Sequence, residues 1–141
     1  GFEYTAAVGM LYEGQIEDGL KCIRNVRERY DGKKRSPFDE AECGHHYGRA
    51  MTRWSAPLAL SGVHYSAVDK TMSFKAKPGT YFWSNGYAWG TSKIEGNKVT
   101  LNVLYGKIEL SGLSLDGLGS VKLRNAVMSS ENNNTMTFII K

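Results

Sequence analysis

The densest group of chemically reactive side chains lies between Tyr30 and Arg49. It comprises two carboxylates, a thiol, two imidazoles and a guanidinium, from Glu40, Glu42, Cys43, His45, His46 and Arg49. Asp31-Gly32 is a turn dipeptide, and the residue before Pro37 is disfavoured in a helix, so most of this stretch is predicted to be loop. Long polar loops between elements are more often functional than idle.

Two of the chemistries that these residue types suggest lack supporting features. A zinc site needs three or four converging ligands, and His64 is the only histidine outside the loop, so neither a metal nor another cofactor is predicted. Cys43 near His45 has the residue types of a cysteine nucleophile. No oxyanion hole or family signature accompanies the pair, and a buried structural cysteine is the alternative.

Carboxylates and an arginine suggest sugar binding instead. Glu40 and Glu42 would point the same way in an extended segment. They could then form a carboxylate pair for glycoside hydrolysis. Alternatively, they are solvated acids that stabilise the start of the next helix. Arg49 is predicted to lie about one turn into that helix. A guanidinium donates and a carboxylate accepts, so together they can grip vicinal sugar hydroxyls. An internal ion pair that locks the loop is a compatible alternative.

The elements around the loop change period along the chain. Helices are predicted over 2–12 and 15–30, joined by a short link that implies an antiparallel pair. A third helix is predicted from His45 to Leu60, with Trp54 and Leu58 on its packed stripe. Pro57 should kink it near Arg53 or end it early.

After Gly62 the pattern becomes that of short strands. These are predicted over 63–65, 70–75, 81–84, 87–91, 98–105, 107–113, 121–128 and 135–140. Gly106 suggests a hairpin between the strands 98–105 and 107–113. Helices followed by strands predict an α+β fold with a small, mainly antiparallel β region. The predicted domains are 1–62 and 63–141.

Composition limits the function classes. The 141 residues carry a net charge of +4, with basic and acidic side chains interspersed, so no nucleic-acid partner is predicted. No apolar run is long enough for a transmembrane segment. The two cysteines are too few for a disulfide scaffold. The chain begins Gly-Phe-Glu-Tyr inside an amphipathic pattern, which indicates a piece of a longer protein.

A second group of aromatic residues lies around Ser84-Asn85-Gly86. Its members are Tyr81, Phe82, Trp83, Tyr87 and Trp89. Such side chains either stack on a sugar face or form the core of a small sheet, and the alternation of the segment favours the core. A carbohydrate-binding or interaction module that uses the aromatic residues from Trp83 to Trp89 is therefore the alternative to a site in the loop.

Three segments resemble glycoside hydrolase family 116, the group of β-glucosidases that includes the non-lysosomal glucosylceramidases. They are E-Y-T-A-A-V-G-M-L-Y-E-G-Q-I-E-D-G-L from Glu3, R-E-R-Y-D-G-K-K-R-S-P-F-D-E-A-E-C-G-H-H-Y-G-R-A-M from Arg27, and L-A-L-S-G-V-H-Y from Leu58. The resemblance is dense over about the first 75 residues. It continues more loosely through Y-F-W-S-N-G-Y-A-W-G-T and L-Y-G-K-I-E-L.

The resemblance implies a retaining β-glycosidase whose catalytic domain is an (α/α)6 barrel. Residues 1–62 would be the closing helices of that barrel, and 63–141 a β-rich appendage. The family's catalytic Glu and Asp would lie upstream, in the missing N-terminal part, so no catalytic residue is expected here. The family's sugar-binding Glu and Arg fall on Glu40 and Arg49, and Glu42 and His46 are further candidates. The implied partner is a β-glycoside substrate.

This sequence departs from the family pattern at two places. Arg53 and Pro57 replace small and apolar residues expected in the third helix. Ser36-Pro37-Phe38-Asp39 stands where the family usually has Asn-Pro-Trp-Asn, which keeps a proline and an aromatic residue but changes the polar groups of the pocket wall.

Overall fold

The computed structural model describes residues 1–37 and 50–141 of the chain. The described part is α+β, as predicted, with three helices followed by two small and mostly antiparallel sheets. The chain divides into two compact units, Gly1–Leu60 and Ser61–Lys141. The helices are α1 (Phe2–Tyr12), α2 (Ile16–Arg29) and α3 (Ala50–Ser61). None of these described helices has the length and apolar character needed to cross a membrane.

The first two helices form the predicted antiparallel pair. Gly19, near the start of α2, lies so close to α1 that a Cβ there would meet the Ala7 carbonyl oxygen and Leu11 Cδ2 at 2.8 Å. At the other end of the pair, Arg29 forms an ion pair with Glu3. A small residue in α2 therefore sets the distance between the helices, while the exposed ion pair adds little.

The third helix differs from its prediction in two ways. It continues through Pro57 to Ser61, so the early end was wrong. Its predicted packed stripe was also wrong, because Trp54 and Leu58 are exposed whereas Ala56 and Ala59 are buried. These two alanines pack in a cluster with Val8 and Leu11 of α1. The small alanine side chains permit this close approach of α3 to α1. Alanines contribute little to a hydrophobic pattern, so the sequence does not reveal this packed side of α3.

Eight strands make up the second unit. They are β1 (His64–Ser66), β2 (Thr71–Lys75), β3 (Gly79–Ser84), β4 (Trp89–Glu95), β5 (Lys98–Tyr105), β6 (Lys107–Asp116), β7 (Gly119–Ser129) and β8 (Thr135–Ile139). Sheet A has the order β1-β2-β6-β7, and sheet B has the order β3-β4-β5-β8. The pairs are antiparallel except for β2 with β6, which is parallel. All eight predicted strands are present, with shifted ends.

The predicted hairpin at Gly106 is wrong. β5 pairs with β4 and β8 in sheet B, whereas β6 pairs with β2 and β7 in sheet A. Gly106, with φ of 78°, is thus the point at which the chain crosses from one sheet to the other. Alternation reports that both strands have a buried face, but it does not say which strands pair.

The two sheets share one hydrophobic core. Every strand from β2 to β8 contributes a buried side chain to it, and the largest are Trp83, Phe74, Met72 and Ile94. Alternate residues of β4 and β5 point inward, and those between them point out of sheet B. This alternation gives sheet B an outer face whose side chains do not pack in the core.

Candidate functional site

The site predicted in the loop lies outside the described residues. Glu40, Glu42, His46 and Arg49 all fall within 38–49, as do Cys43 and His45. The structure therefore describes only the chain on either side of this predicted sugar clamp, namely the end of α2 with the turn after it and α3.

The turn that leads towards the clamp is held by an aspartate. Asp31 Oδ1 accepts hydrogen bonds from the backbone N–H groups of Lys34 (2.8 Å) and Lys33 (2.9 Å). The Gly32 N–H donates to the Arg35 carbonyl at 3.0 Å, with Gly32 at φ of 86°. These bonds, that from Lys34 first, lower the pKa of Asp31 below its ordinary value. The predicted Asp31-Gly32 turn is confirmed.

A tyrosine and an arginine flank that turn. The Arg35 guanidinium lies over the Tyr30 ring, 5.8 Å from its centroid. A second pair of the same kind joins α3 to α1, where the Arg53 guanidinium lies 5.2 Å from the centroid of Tyr4. This contact shows how α3 accommodates an arginine at this position, since the planar guanidinium lies over the buried ring of Tyr4.

Trp83 is not available to a ligand. It is fully buried between the sheets, and a Cβ added at Gly90 would lie 3.0 Å from its ring. The prediction that the aromatic residues form core is therefore confirmed for Trp83, and the alternative that placed Trp83 against a sugar was wrong for this residue. The core prediction is wrong for Phe82, Tyr87 and Trp89, which are exposed. Strand alternation separates Trp83 from its neighbour Phe82, which lies on the outer face of sheet B.

A row of exposed aromatic rings crosses the outer face of sheet B. Trp89 pairs with Tyr105 across β4 and β5, and their rings are nearly parallel, with an interplanar angle of 19° and centroids 6.3 Å apart. Phe82 on β3 lies diagonally from Trp89, because Phe82 pairs with Thr91 and Ser84 pairs with Trp89; the ring centroids of Phe82 and Trp89 are 6.3 Å apart and the rings are tilted by 37°. Trp89 is 42% exposed and Tyr105 is 61% exposed. We call Phe82, Trp89 and Tyr105 the aromatic row.

A β-bulge produces this row. Gly90 pairs with Val103 and Trp89 pairs with Tyr105, which leaves Leu104 as an extra residue in β5. Strict alternation after the buried Leu101 and Val103 would turn Tyr105 into the core. The extra residue resets the alternation, and Tyr105 emerges beside Trp89. Bulges commonly re-aim a side chain next to a functional site.

A cleft continues from one end of the aromatic row. It has a volume of about 400 Å³ and is lined by Tyr87, Tyr105, Gly106, Lys107, Ser129, Ser130 and Glu131. Tyr105 belongs to both the row and the cleft. The cleft therefore places hydroxyl and charged groups beside the exposed rings of Trp89 and Tyr105.

The shape of the cleft depends on the crossover at Gly106. The Ser130 N–H donates to the Gly106 carbonyl at 3.0 Å, which ties the chain after β7 to the crossover. Asn85 Oδ1 accepts from the N–H groups of Ala88 (2.7 Å) and Tyr87 (3.0 Å), which fixes the turn that carries Tyr87. One wall of the cleft is thus held by a backbone hydrogen bond and the other by backbone N–H groups that donate to the Asn85 side chain.

Sequence reasoning missed Tyr105 as a member of the site. Strict alternation places Tyr105 in the inward phase of Leu101 and Val103, and only the extra residue Leu104 turns it outward, so the sequence carries no signal of its exposure. Within residues 1–37 and 50–141, no three His, Cys, Asp or Glu side chains are grouped as a metal site would require. No protein-family model matches the chain, and no curated protein matches it significantly.

Proposed function

We propose that this chain is the C-terminal part of a retaining β-glycosidase similar to glycoside hydrolase family 116. The observation that carries the proposal is the motif E-x-E-C-G-x-H-Y-x-R-x-M from Glu40 to Met51. The antiparallel pair α1 and α2 supports it, because an (α/α)6 barrel is built from helical hairpins. In this proposal residues 1–62 close the barrel, and 63–141 form its β-rich appendage.

The proposed role of the loop is to hold the non-reacting end of the sugar. The Arg49 guanidinium would donate to hydroxyl oxygens of the glycone, and the Glu40 carboxylate would accept from hydroxyl protons. Glu42 and His46 are further candidates for the same pocket. Binding at the far hydroxyls would position the anomeric carbon for a nucleophile and an acid/base supplied by the upstream part of the protein.

Kinetics of the longer parent protein test this role. Arg49→Ala and Glu40→Gln should each lower kcat/KM for an aryl β-glucoside roughly ten- to a hundredfold, as expected for losing a hydrogen bond to a charged group. Arg35→Ala is the matched control, because it removes an exposed guanidinium that contacts Tyr30. Unchanged kinetics in both Arg49→Ala and Glu40→Gln would refute the assignment.

The chain by itself provides a second test of the same proposal. Because the catalytic Glu and Asp would lie upstream, the isolated chain should not hydrolyse aryl β-glucosides. Clear hydrolysis, abolished by Glu40→Gln or Glu42→Gln, would show that the catalytic pair lies in this chain, and the proposed division of labour would be wrong.

A second candidate function is favoured by a specific observation in the β unit. The stacked pair Trp89 and Tyr105 is exposed beside a polar cleft, and an aromatic ring can cover the apolar C–H face of a pyranose. Under this alternative the chain is a non-catalytic carbohydrate-binding module. Sugar binding lost in Trp89→Ala and kept in Arg49→Ala would favour the module, and the reverse result would favour the loop.

A further inference from the structure

The outer face of sheet B has an ordered arrangement of side chains beyond the aromatic row. One step along the strands, Thr91 pairs with Asn102, and Asn102 pairs with Thr135 of β8. These three residues, which we call the polar row, run across the sheet beside the Trp89–Tyr105 pair, and Phe82 continues their line on β3, where it pairs with Thr91. Thr91 and Asn102 are half-buried, and Thr135 is exposed.

The polar row offers hydrogen-bonding groups of both kinds. Thr135 Oγ1 lies within hydrogen-bond distance of two amide oxygens, Asn102 Oδ1 (3.3 Å) and Asn134 Oδ1 (3.2 Å), and its single proton is donated to one of them at a time. Another step along, the hydroxyls of Thr100 and Thr137 lie 3.1 Å apart. Threonine hydroxyls and amides present donors and acceptors at fixed positions on a rigid sheet.

Charge is nearly absent from this part of the face. The aromatic row and the polar row contain no ionisable carboxylate, amine or guanidinium. Charged groups flank this part of the face on both sides: Lys107 and Glu131 line the cleft beside Tyr105, and one step beyond the polar row Lys93 Nζ lies 2.7 Å from Glu95 Oε1. The positive charge of Lys93 is thereby offset by a carboxylate, so the face does not select an acidic ligand.

We propose that the outer face of sheet B binds an extended neutral glycan, with successive sugar rings on the aromatic row and on the polar row. This inference rests on the second candidate function above. It adds the class of ligand and the path that the ligand takes across sheet B. Trp89 and Tyr105 take the C–H face of one ring, and Thr91, Asn102 and Thr135 bond to the hydroxyls of the next. From Trp89 to Lys93 the face extends four residues, roughly 13 Å along the strand, which exceeds the span of one ring.

A glycan fits this surface better than a protein partner does. The core of a protein–protein interface is a continuous apolar patch, whereas here the rings are interspersed with polar side chains, since Phe82 pairs with Thr91 and Thr91 pairs with Asn102. The exposed Trp89 and Tyr105 rings supply apolar surface that can contact the C–H groups of a pyranose. The occupant is therefore a neutral oligosaccharide.

The test is titration of the intact chain with β-1,4-linked gluco-oligosaccharides of two to six units, by calorimetry and tryptophan fluorescence. Affinity should rise with length until the face is covered. Trp89→Ala should abolish binding, and Asn102→Ala and Thr91→Val should each weaken the longer ligands roughly fivefold, the effect of one hydrogen bond. An oligogalacturonide of equal length should bind more weakly than the neutral ligand.

Matched controls separate this inference from the function on which it rests. Asn25→Ala, an exposed change in α2, and Trp54→Phe should leave affinity unchanged. Binding lost in Trp89→Ala but insensitive to length and to Asn102→Ala would keep the module and overturn the extended-chain inference. No binding of any oligosaccharide would overturn both, as would a dimer of the chain that Trp89→Ala dissociates.

Discussion

Trp89 and Tyr105 lie opposite each other on the outer face of sheet B, although the alternation of β5 would direct Tyr105 inward. The extra residue Leu104 accounts for this, because it shifts the register between the pairs Gly90–Val103 and Trp89–Tyr105. The same strand therefore packs Leu101 and Val103 into the core and still presents an aromatic ring to solvent.

Restoring the register should destroy the aromatic row. Insertion of one threonine between Trp89 and Gly90 would give Leu104 a partner on β4, so the regular alternation would turn Trp89 and Tyr105 inward together. We expect loss of Trp89 quenching by acrylamide and a lower melting temperature, measured in a Trp54→Phe background.

Deletion of Leu104 is the control for that insertion. It removes the bulge from β5 while leaving Tyr105 outward and opposite Trp89, so acrylamide quenching should persist. If the insertion variant folded with Trp89 still accessible to acrylamide, register would not determine where the ring points.

The crossover at Gly106 should tolerate no side chain. Its φ is 78°, and a Cβ there would lie 2.2 Å from the Tyr87 carbonyl oxygen, which is a backbone atom that cannot move aside cheaply. Gly106→Ala should therefore lower the free energy of unfolding by roughly 3 kcal/mol, from strain and overpacking together. Urea denaturation followed by fluorescence measures this change.

Gly96→Ala separates strain from overpacking. Gly96 also has a positive φ, 63°, but nothing lies within 4 Å of a Cβ built there. Its substitution should cost only about 1 kcal/mol. Equal losses in the two variants would mean that the close approach of Tyr87 to Gly106 contributes nothing.

Periodicity predicted the elements well because each depends on local pattern. The charged face of α2 and the strict alternation of β5 both report burial directly, and the structure has both elements where they were expected. The pairing of the strands could not be predicted from the sequence. Gly106 separates β5 and β6 by the length of a hairpin turn whether or not these strands pair. The packed side of α3 was also missed, because Ala56 and Ala59 contribute little to a hydrophobic pattern although they are buried.

The candidate site was predictable in part. Trp89 was identified as an aromatic candidate. Its partner Tyr105 is distant in the sequence and lies beside Trp89 only because β4 pairs with β5. Asn102 and Thr135 likewise become neighbours through the pairing of β5 with β8. Residues that are distant in the chain and have ordinary types give no local signal, so the polar row required the structure.

Packing of α1 against α2 predicts opposite effects for two glycines. Gly19→Ala would place a Cβ 2.8 Å from the Ala7 carbonyl oxygen and should destabilise the helix pair by about 1–3 kcal/mol. Gly9→Ala, with nothing within 4 Å of the added Cβ, should stabilise α1 by about 0.5–1 kcal/mol through helix propensity. Thermal unfolding followed by circular dichroism at 222 nm compares them. Effects of the same sign would show that Gly19 does not set the distance between these helices.

The turn before the predicted clamp should weaken in acid. Backbone N–H groups of Lys34 and Lys33 bond to the ionised Asp31 carboxylate and lower its pKa from 3.8. Because the folded pKa is depressed, the stabilising effect is present above the unfolded pKa and is lost as the pH falls through the folded one. The amide resonances of Lys33 and Lys34 should therefore titrate with a midpoint below 3.8. Asp31→Asn keeps an acceptor oxygen and should abolish this titration while leaving the turn formed; a midpoint at or above 3.8 in the unsubstituted chain would contradict the assignment.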